Sequence, residues 1–426
     1  MSLIPEAVRL LVDRLNRRFG GPVARRRLSG EDASPLPRAL RVTRSTSARG
    51  IAATWTRLIA ETHAGQSSRD ALADPLTVTT APAYCANIES FIGTVKVPVG
   101  LIGPLRVNGL HANGDFFIPL ATTEAALVAS YARGARVASL AGGVTAALTY
   151  EGVIRAPAFV FTDIFEAGSF VSWVAENAEA LRAAAEATTR FGKLTLIEPL
   201  IDANVVFLRC RYETGDAAGQ NMVTIATDAL CAHALAHMPV KPQRWYIEGN
   251  FSGDKKASFL GYLTGRGRKV TASVVIPSAV VSRHLGLTVD DMLAYAEVAN
   301  LGARLSGQIG AQGHFANGIA ALYLATGQDA ACVAESSVGS TRMERRGGDL
   351  FMSVTLPNLL VGTVGGGTGL PSQSAGLDIL TLKGSGNANA LAEVVAATCL
   401  SGEISIMAAI AAGDFARAHR TLARER

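Results

Sequence analysis

Residues 158–162 (AFVFT), 194–199 (LTLIEP) and 203–212 (ANVVFLRCRY) read as three β-strands, and 244–248 (RWYIE) leaves room for a fourth. Residues 172–189 and 221–237, which fall between them, carry helical patterning, so 157–246 has the order β-α-β-β-α with a closing strand. That order is the one of a ferredoxin-like unit. It decides the fold class: an α/β (α+β) chain in which a ferredoxin-like domain, 157–246, is inserted between two parts of a larger domain, 88–156 and 247–426, behind a small helical N-terminal region, 1–87.

The flanking stretches fill in the larger domain. Short β-branched runs punctuated by Gly and Pro at 94–100, 103–107 and 115–120 predict strands. Residues 122–140 predict an Ala-rich helix capped by Thr122 or Thr123, with Glu124 in the first turn where the helix dipole favours a carboxylate. Downstream, 290–305 and 317–326 predict helices and 351–355 a strand. Residues 391–412 predict a further helix, ending at Gly413, and the larger domain is expected to have a central helix. The N-terminal region predicts helices at 5–19 and 50–64.

A chain of 426 residues exceeds one ordinary core and points to two or three domains. Hydrophobic residues make up 49% of it and its mean hydropathy is +0.25, yet charged or Gly-containing segments interrupt every apolar stretch before spanning length. No secretory pattern opens the sequence. The five cysteines are scattered, odd in number and free of C-x-x-C spacing, as in a protein with reduced thiols. The expectation is a cytoplasmic protein without membrane contact. The formal net charge of +5 is concentrated in residues 1–50, with eleven Arg against four acidic side chains. Without interleaved aromatics or a nucleic-acid motif, this arm reads as solvated or partner-docked, and nucleic acid is not an expected partner.

Two segments are open to chemistry, the alternatives being a solvated surface loop for the first and a structural turn for the second. Residues 248–256 (EGNFSGDKK) place two ammonium groups behind a carboxylate on a Gly-rich loop. Such a loop holds negative charge, and an ammonium aimed at a carbonyl oxygen stabilises the oxyanion formed when hydride or a nucleophile arrives. Residues 361–370 (VGTVGGGTGL) offer unobstructed amides able to approach a pyrophosphate, though they do not form a G-x-G-x-x-G fingerprint. Other residues have two readings each. Glu124 reads as a dipole partner, Asp329 as a helix cap and His419 as a cation at a helix end, each a titratable group also open to chemistry. His233 and His237 stand at i,i+4 without an adjacent Glu or a third ligand, so no metal is expected.

Taken in order, the segments IESFIGTVKVPVGLIGPL (88–105), IPLATTEAALVASYARG (118–134), GDAAGQNM (215–222), GDKKAS (253–258), HFAN (314–317), ATGQDAACVAESS (325–337), LVGTVGGGTGLPSQSA (360–375) and SGEISIMAAIAAG (401–413), followed by Ala418-His419, resemble the catalytic portion of the 3-hydroxy-3-methylglutaryl-CoA (HMG-CoA) reductase family in its class I form. The resemblance implies a four-electron reduction of a CoA thioester to a primary alcohol with two NADPH. It makes Lys255 the cation that polarises the carbonyl, Asp329 its tuning partner, Glu124 the proton donor in aldehyde reduction, and His419 the acid that protonates the departing CoA thiolate.

The same resemblance assigns Asp216, Gly219, Asn221, Arg190, Gly365, Gly366 and Gly367 to the cofactor, with Arg190 near the 2′-phosphate. Ser130 and Arg133 fall where the family contacts CoA, and Arg155, Asp254, Lys256, His314 and Asn317 line the acyl pocket. A homo-oligomer, dimer or tetramer, is implied because relatives complete the site across a subunit interface. The sequence departs from the family at Ala218 and Gln220, where methionines are usual, at Glu248 in place of a serine, and at Ala299 in place of a lysine. These departures leave a different acyl-CoA or carrier-bound thioester as the alternative substrate.

Overall fold

The computed structural model describes residues 5–19, 26, 39 and 42–415. The lead-in is helical. Helix α1 (Glu6–Phe19) buries none of its residues, and α2 (Ala48–Glu61), α3 (Gln66–Leu72) and α4 (Pro75–Thr80) follow. Ser47 caps α2 by accepting from the Gly50 amide, and Asp74 caps α4 by accepting from Leu76 and Thr77, with Pro75 pre-set for the first turn. Ile51, Trp55, Ala73, Ala81 and Phe91 form a small separate core, locked where Trp55 Nε1 donates to the Ile92 carbonyl at 2.8 Å.

Strands β1 (Val99–Gly109) and β2 (Asn113–Ala121) make one long antiparallel hairpin. The two strands expected at 94–100 and 103–107 are therefore a single one, and it begins only after Pro98, which has no N–H for a ladder. Helix α5 (Leu127–Leu140) starts later than the sequence predicts, because Ala126 sits at φ 70, in the left-handed region. Glu124 thus belongs to the approach turn and is not a first-turn dipole partner. Thr122 Oγ1 accepts from the Glu124 amide at 3.0 Å and so braces that turn rather than capping the helix.

Strand β3 (Val144–Arg155) joins the two halves of the sheet. It pairs in parallel with β1 and antiparallel with β8 (Gly267–Ile276), while its last residues, Val153 to Arg155, pair with β6 (Val205–Glu213). Strands β4 (Ala158–Val160), β5 (Lys193–Asp202), β6 and β7 (Arg244–Tyr246) lie in the order β7-β4-β6-β5, every pair antiparallel, which is the ferredoxin-like arrangement. The helix expected over 172–189 is two, α6 (Ile164–Glu176) and α7 (Ala178–Glu186), separated at Asn177, and α8 (Gln220–His237) follows β6.

The larger half continues with α9 (Phe259–Thr264), α10 (Ser278–Leu285), α11 (Val289–Leu305), β9 (Gly310–Ala311), α12 (Phe315–Thr326), α13 (Val333–Ser336), β10 (Gly339–Arg346), β11 (Asp349–Leu359), α14 (Pro371–Ile379) and α15 (Ala388–Ala411). Strands β8, β11 and β10 run antiparallel, with β9 parallel to β10 at the edge. Helix α15 is the central element the sequence predicts. Its Leu391, Val394, Val395, Leu400 and Ile404 are buried, each side chain contributing about 1.5–3 kcal/mol by leaving water. With 24 residues and a mean hydropathy of 1.8 it is long and apolar enough to cross a bilayer, yet protein covers most of it.

Two glutamates on α15, Glu393 and Glu403, are fully buried. Glu393 Oε2 accepts from the amides of His111 and Ala112, both at 2.8 Å, and Oε1 accepts from Leu148 at 3.1 Å. One carboxylate thereby holds the β1–β2 turn and the middle of β3 against the core helix. Glu393→Ala orphans these donors and is expected to cost about 3 kcal/mol or more, read as a lowered urea midpoint. A loss below about 1 kcal/mol would contradict this role.

Candidate active site

The loop after β7 carries Asp254, Lys255 and Lys256, and it brings Lys255 to Asp329: Nζ lies 2.9 Å from Oδ2. Both side chains are about 40% exposed, at 42% and 40%, so the ion pair is open to a ligand and adds little stability, about 0–1 kcal/mol. Its worth is electrostatic. The hydrogen bond to Asp329 raises the Lys255 pKa against the opposing pull of burial, so the ammonium is fully charged at neutral pH. Burial pushes the Asp329 carboxyl up, but Lys255 and the Ala331 amide outweigh it and hold the group below its usual value. Asp329 also accepts from Ala331 at 3.0 Å as the cap of a short 3-10 turn, Ala330–Cys332. The cap reading is met, and the same residue pairs with Lys255.

Lys255 has φ 57, a conformation costly for a residue with a Cβ. Its amide donates to Glu335 Oε1 at 3.0 Å, which holds the loop in that shape. Glu335 and Arg266 are each 1% exposed and form a two-pronged contact, with Nη1 2.7 Å from both carboxylate oxygens. Burial raises the Glu335 pKa even against the neighbouring guanidinium. Arg266 Nη2 lies 3.0 Å from Asp254 Oδ1, while Asp254 Oδ2 is 3.2 Å from Arg155 Nη1, which is also 3.1 Å from Glu248 Oε2. Strand β3 delivers Arg155 to this cluster at its last residue. Lys256 is exposed, and its Nζ donates to the Asp254 carbonyl at 2.9 Å.

The two expected cofactor segments meet each other. The Thr363 amide donates to the Asp216 carbonyl at 2.9 Å, and Arg268, buried on β8, donates to the carbonyls of Gly215 and Val361. At Gly362 a Cβ would stand 2.5 Å from the Ala218 nitrogen, so only glycine permits this approach. Gly219, left-handed at φ 77, starts α8 without a side-chain cap, leaving the first-turn amides of Gln220 and Asn221 to an outside acceptor. Thr189 Oγ1 contacts Met222 Sδ at 3.0 Å, which sets exposed Arg190 beside the same helix start. The uncapped helix start, the glycine turn with open space at Gly365 and Gly366, and an arginine nearby fit a phosphorylated dinucleotide. Two expected contacts are otherwise engaged. Gly367 packs against the Gly327 carbonyl, and the Asp216 carboxylate accepts from Gly386 at 2.7 Å and Ala388 at 3.1 Å, capping α15.

A second group lies around a cavity of about 760 Å³ lined by Glu124, Ser130, Arg133, His314 and Asn317 among others. Asn317 Nδ2 donates to Glu124 Oε1 at 3.3 Å. Ser130 and Arg133 both reach Ser405 on α15, and burial lowers the Arg133 pKa. Glu403 accepts from the Gly313 and His314 amides at 2.8 and 2.9 Å, fixing the entry to α12, and His314 stacks on Tyr131. Among the described residues no hydrogen bond or ion pair joins this group to the Lys255–Asp329 pair. His419 lies outside the described residues.

Sequence reasoning missed Arg266, Glu335 and Glu403 as site residues. Glu403 was visible as the lone acid of an apolar segment, 401–413, and Glu335 as a second acid after Asp329 in 325–337. Gln220, noted only as a departure, links the two motifs: Nε2 lies 3.3 Å from Asp329 Oδ2 and 2.9 Å from Cys332 Sγ. Among the described residues no three His, Cys, Asp or Glu side chains converge as a metal site, and the His233 and His237 rings simply stack.

A charged ammonium with its own carboxylate, next to a dinucleotide-fitting turn, is the equipment of a carbonyl-reducing enzyme. The hydroxymethylglutaryl-coenzyme A reductase family profile matches residues 56–424. A 3-hydroxy-3-methylglutaryl-coenzyme A reductase of Aeropyrum pernix is 46% identical over 347 residues, covering 80% of this chain and 82% of that one. The reductase 1 of Dictyostelium discoideum is 40% identical over 343 residues, 78% of this chain and 61% of that protein. The class II reductase of Streptococcus pneumoniae, solved with NADPH in open conformations, superposes with a TM-score of 0.63 at 19% identity, over 85% of this chain and 99% of that one. The chain belongs to the hydroxymethylglutaryl-coenzyme A reductase family. Its higher identity to the archaeal and amoebal proteins than to the class II structure agrees with the class I resemblance.

Proposed function

We propose that the protein reduces HMG-CoA to mevalonate and free CoA, consuming two NADPH, and that it works as a homo-oligomer in the cytoplasm. NADPH supplies the two hydrides. The reading rests on the Lys255–Asp329 pair, at 2.9 Å, placed by Gln220 beside the cofactor-fitting turn. Lys255 Nζ receives the thioester oxygen and stabilises the negative charge that hydride addition puts on it, first at the hemithioacetal and again at the aldehyde. Asp329 keeps that nitrogen protonated. Glu124, held by Asn317, delivers a proton in the aldehyde step. His419 protonates the CoA thiolate, whose thiol pKa of about 8.5 would otherwise let it persist as a nucleophile. The cavity around Ser130 and Arg133 has the size of a ligand site and takes part of CoA.

Two copies bring the separate groups together, the cavity of one protomer facing the Lys255 loop of its partner. The free thiols of Cys85, Cys210, Cys231, Cys332 and Cys399 support a reducing compartment. The test is to follow NADPH, mevalonate and thiol together on species separated by size. Two NADPH consumed per mevalonate and per CoA, in a dimer or larger species only, is the expected outcome. Oxidation of no NADPH would overturn the reaction, and a fully active monomer would overturn the assembly. Reduction of a different acyl thioester is the second reading, favoured by the pairing of Arg155 with Glu248.

A further inference from the structure

We infer that Gln220 is a positioning residue for the reduction, whose side-chain amide fixes the Asp329 carboxylate toward Lys255 while its main chain stays available to the cofactor. The inference rests on the reductase reading above and deepens it by naming what aligns the catalytic pair with the cofactor-binding helix. Gln220 is the first residue of α8, so its backbone amide is one of those left uncapped behind left-handed Gly219. Its side chain reaches a different segment, where Nε2 lies 3.3 Å from Asp329 Oδ2 and 2.9 Å from Cys332 Sγ. Asp329 and Cys332 bracket the short 3-10 turn, one as its cap and the other as its last residue. A single NH2 group with two hydrogens therefore grips both ends of that turn. Burial pushes the Cys332 thiol well up, so its sulfur is a neutral acceptor and Asp329 is the charged one.

The backbone of the turn does not depend on this contact. Gln328 accepts from the Gly362 amide at 2.8 Å and donates to the Gly362 carbonyl at 3.0 Å, which anchors the residue before Asp329 to the glycine turn. What remains to be fixed is the carboxylate itself, since the Asp329 side chain is 40% exposed and too open for packing to hold it. Its Oδ1 accepts from the Ala331 amide at 3.0 Å, its Oδ2 meets Lys255 Nζ at 2.9 Å, and Gln220 supplies the third donor. Burial pushes the Asp329 carboxyl up, and the Gln220 amide joins Lys255 and Ala331 in outweighing it. A methionine, usual in the family at this position, has no hydrogen to donate. The amide thus sets the direction of a charge-assisted pair, and a displacement of about 1 Å in such a group can cost on the order of 10²-fold in rate.

The experiment measures the NADPH Kd by fluorescence titration and the kcat for HMG-CoA reduction in the wild type, Gln220→Met and Gln220→Glu, and repeats the kcat measurement in an Asp329→Asn background by single-turnover product formation. Gln220→Met should bind NADPH within about twofold of the wild type, because the backbone amide is unchanged, and so shows that the helix start is folded. Its kcat should fall by about fivefold or more. Gln220→Glu has the same shape but sets a carboxylate against a carboxylate, and its kcat should fall further. In the Asp329→Asn background Gln220→Met should cost less than about twofold, since the charge through which Gln220 acts is gone, whereas a merely structural role would cost the same in both backgrounds. A kcat within about twofold of the wild type in Gln220→Met, or an equal loss in both backgrounds, would overturn the inference and leave the reductase reading in place. Weakened NADPH binding with kcat unchanged would overturn it too, by giving the side chain to the cofactor. Failure of the wild type to oxidise NADPH with HMG-CoA would instead overturn the reductase reading, and this inference with it.

Discussion

Lys255→Ala should lower kcat for thioester reduction by about 10²- to 10³-fold, the usual loss when one donor to a developing oxyanion is removed. The effect belongs in kcat, because the carbonyl oxygen gains most of its charge after hydride arrives, and the ground state uses the ammonium far less. The structure adds a second contribution. With the ammonium gone, the Asp329 carboxylate, now 2.9 Å from where Nζ stood, faces the same oxygen with the wrong sign. Lys255→Ala combined with Asp329→Asn should therefore recover part of the loss that Lys255→Ala causes alone. Asp329→Asn alone removes the main cause of the raised Lys255 pKa, so the alkaline limb of its rate profile should move to lower pH. Stopped-flow measurement of NADPH consumption reads both. A Lys255→Ala enzyme within about threefold of the wild type would refute the role given to this residue.

Arg266→Met should destabilise the fold by about 3–5 kcal/mol, because it leaves the Glu335 carboxylate buried without its counter-charge. Both residues are 1% exposed, so water cannot take over. The pH dependence follows from the direction of the Glu335 shift. Its folded pKa already lies above the usual 4.5, and removing Arg266, which lowers it, must raise it further. A group raised on folding stabilises below its unfolded pKa, and that stabilisation is lost as pH rises through the folded value. The deficit of Arg266→Met should therefore be smallest below about pH 4.5 and largest at neutral pH. Urea unfolding at the two pH values measures it. Adding Glu335→Leu should restore part of the stability, since the apolar pair has no charge to desolvate. Activity should fall as well, because Glu335 Oε1 is the acceptor that holds Lys255 at φ 57.

The alternation of strands and helices over 158–248 was enough to place the ferredoxin-like unit, although it merged the helices 164–176 and 178–186 into one and started it late. Where a single residue's backbone decides, the pattern misled. Ala126 is an ordinary helix former, and nothing in its neighbours announces φ 70, so Glu124 was placed one turn too deep. The pairing of Lys255 with Asp329 could be reached through likeness to a family. The supporting network could not, because Arg155, Glu248, Asp254, Arg266 and Glu335 come from distant segments and each alone reads as a solvated charge. Gln220 shows the same limit: one amide spans 109 positions to reach Asp329, a distance no local pattern reports.

Helix α15 carries a consequence beyond packing. Before the chain folds, 24 residues of this composition are a substrate for any machinery that sorts apolar segments into lipid. Glu393 and Glu403 lie within that run, and a carboxylate side chain near the middle of a bilayer costs on the order of 3 kcal/mol. The acids that later fasten the β1–β2 turn, strand β3 and the entry to α12 therefore also bias the nascent segment toward water, where it waits for its sheet.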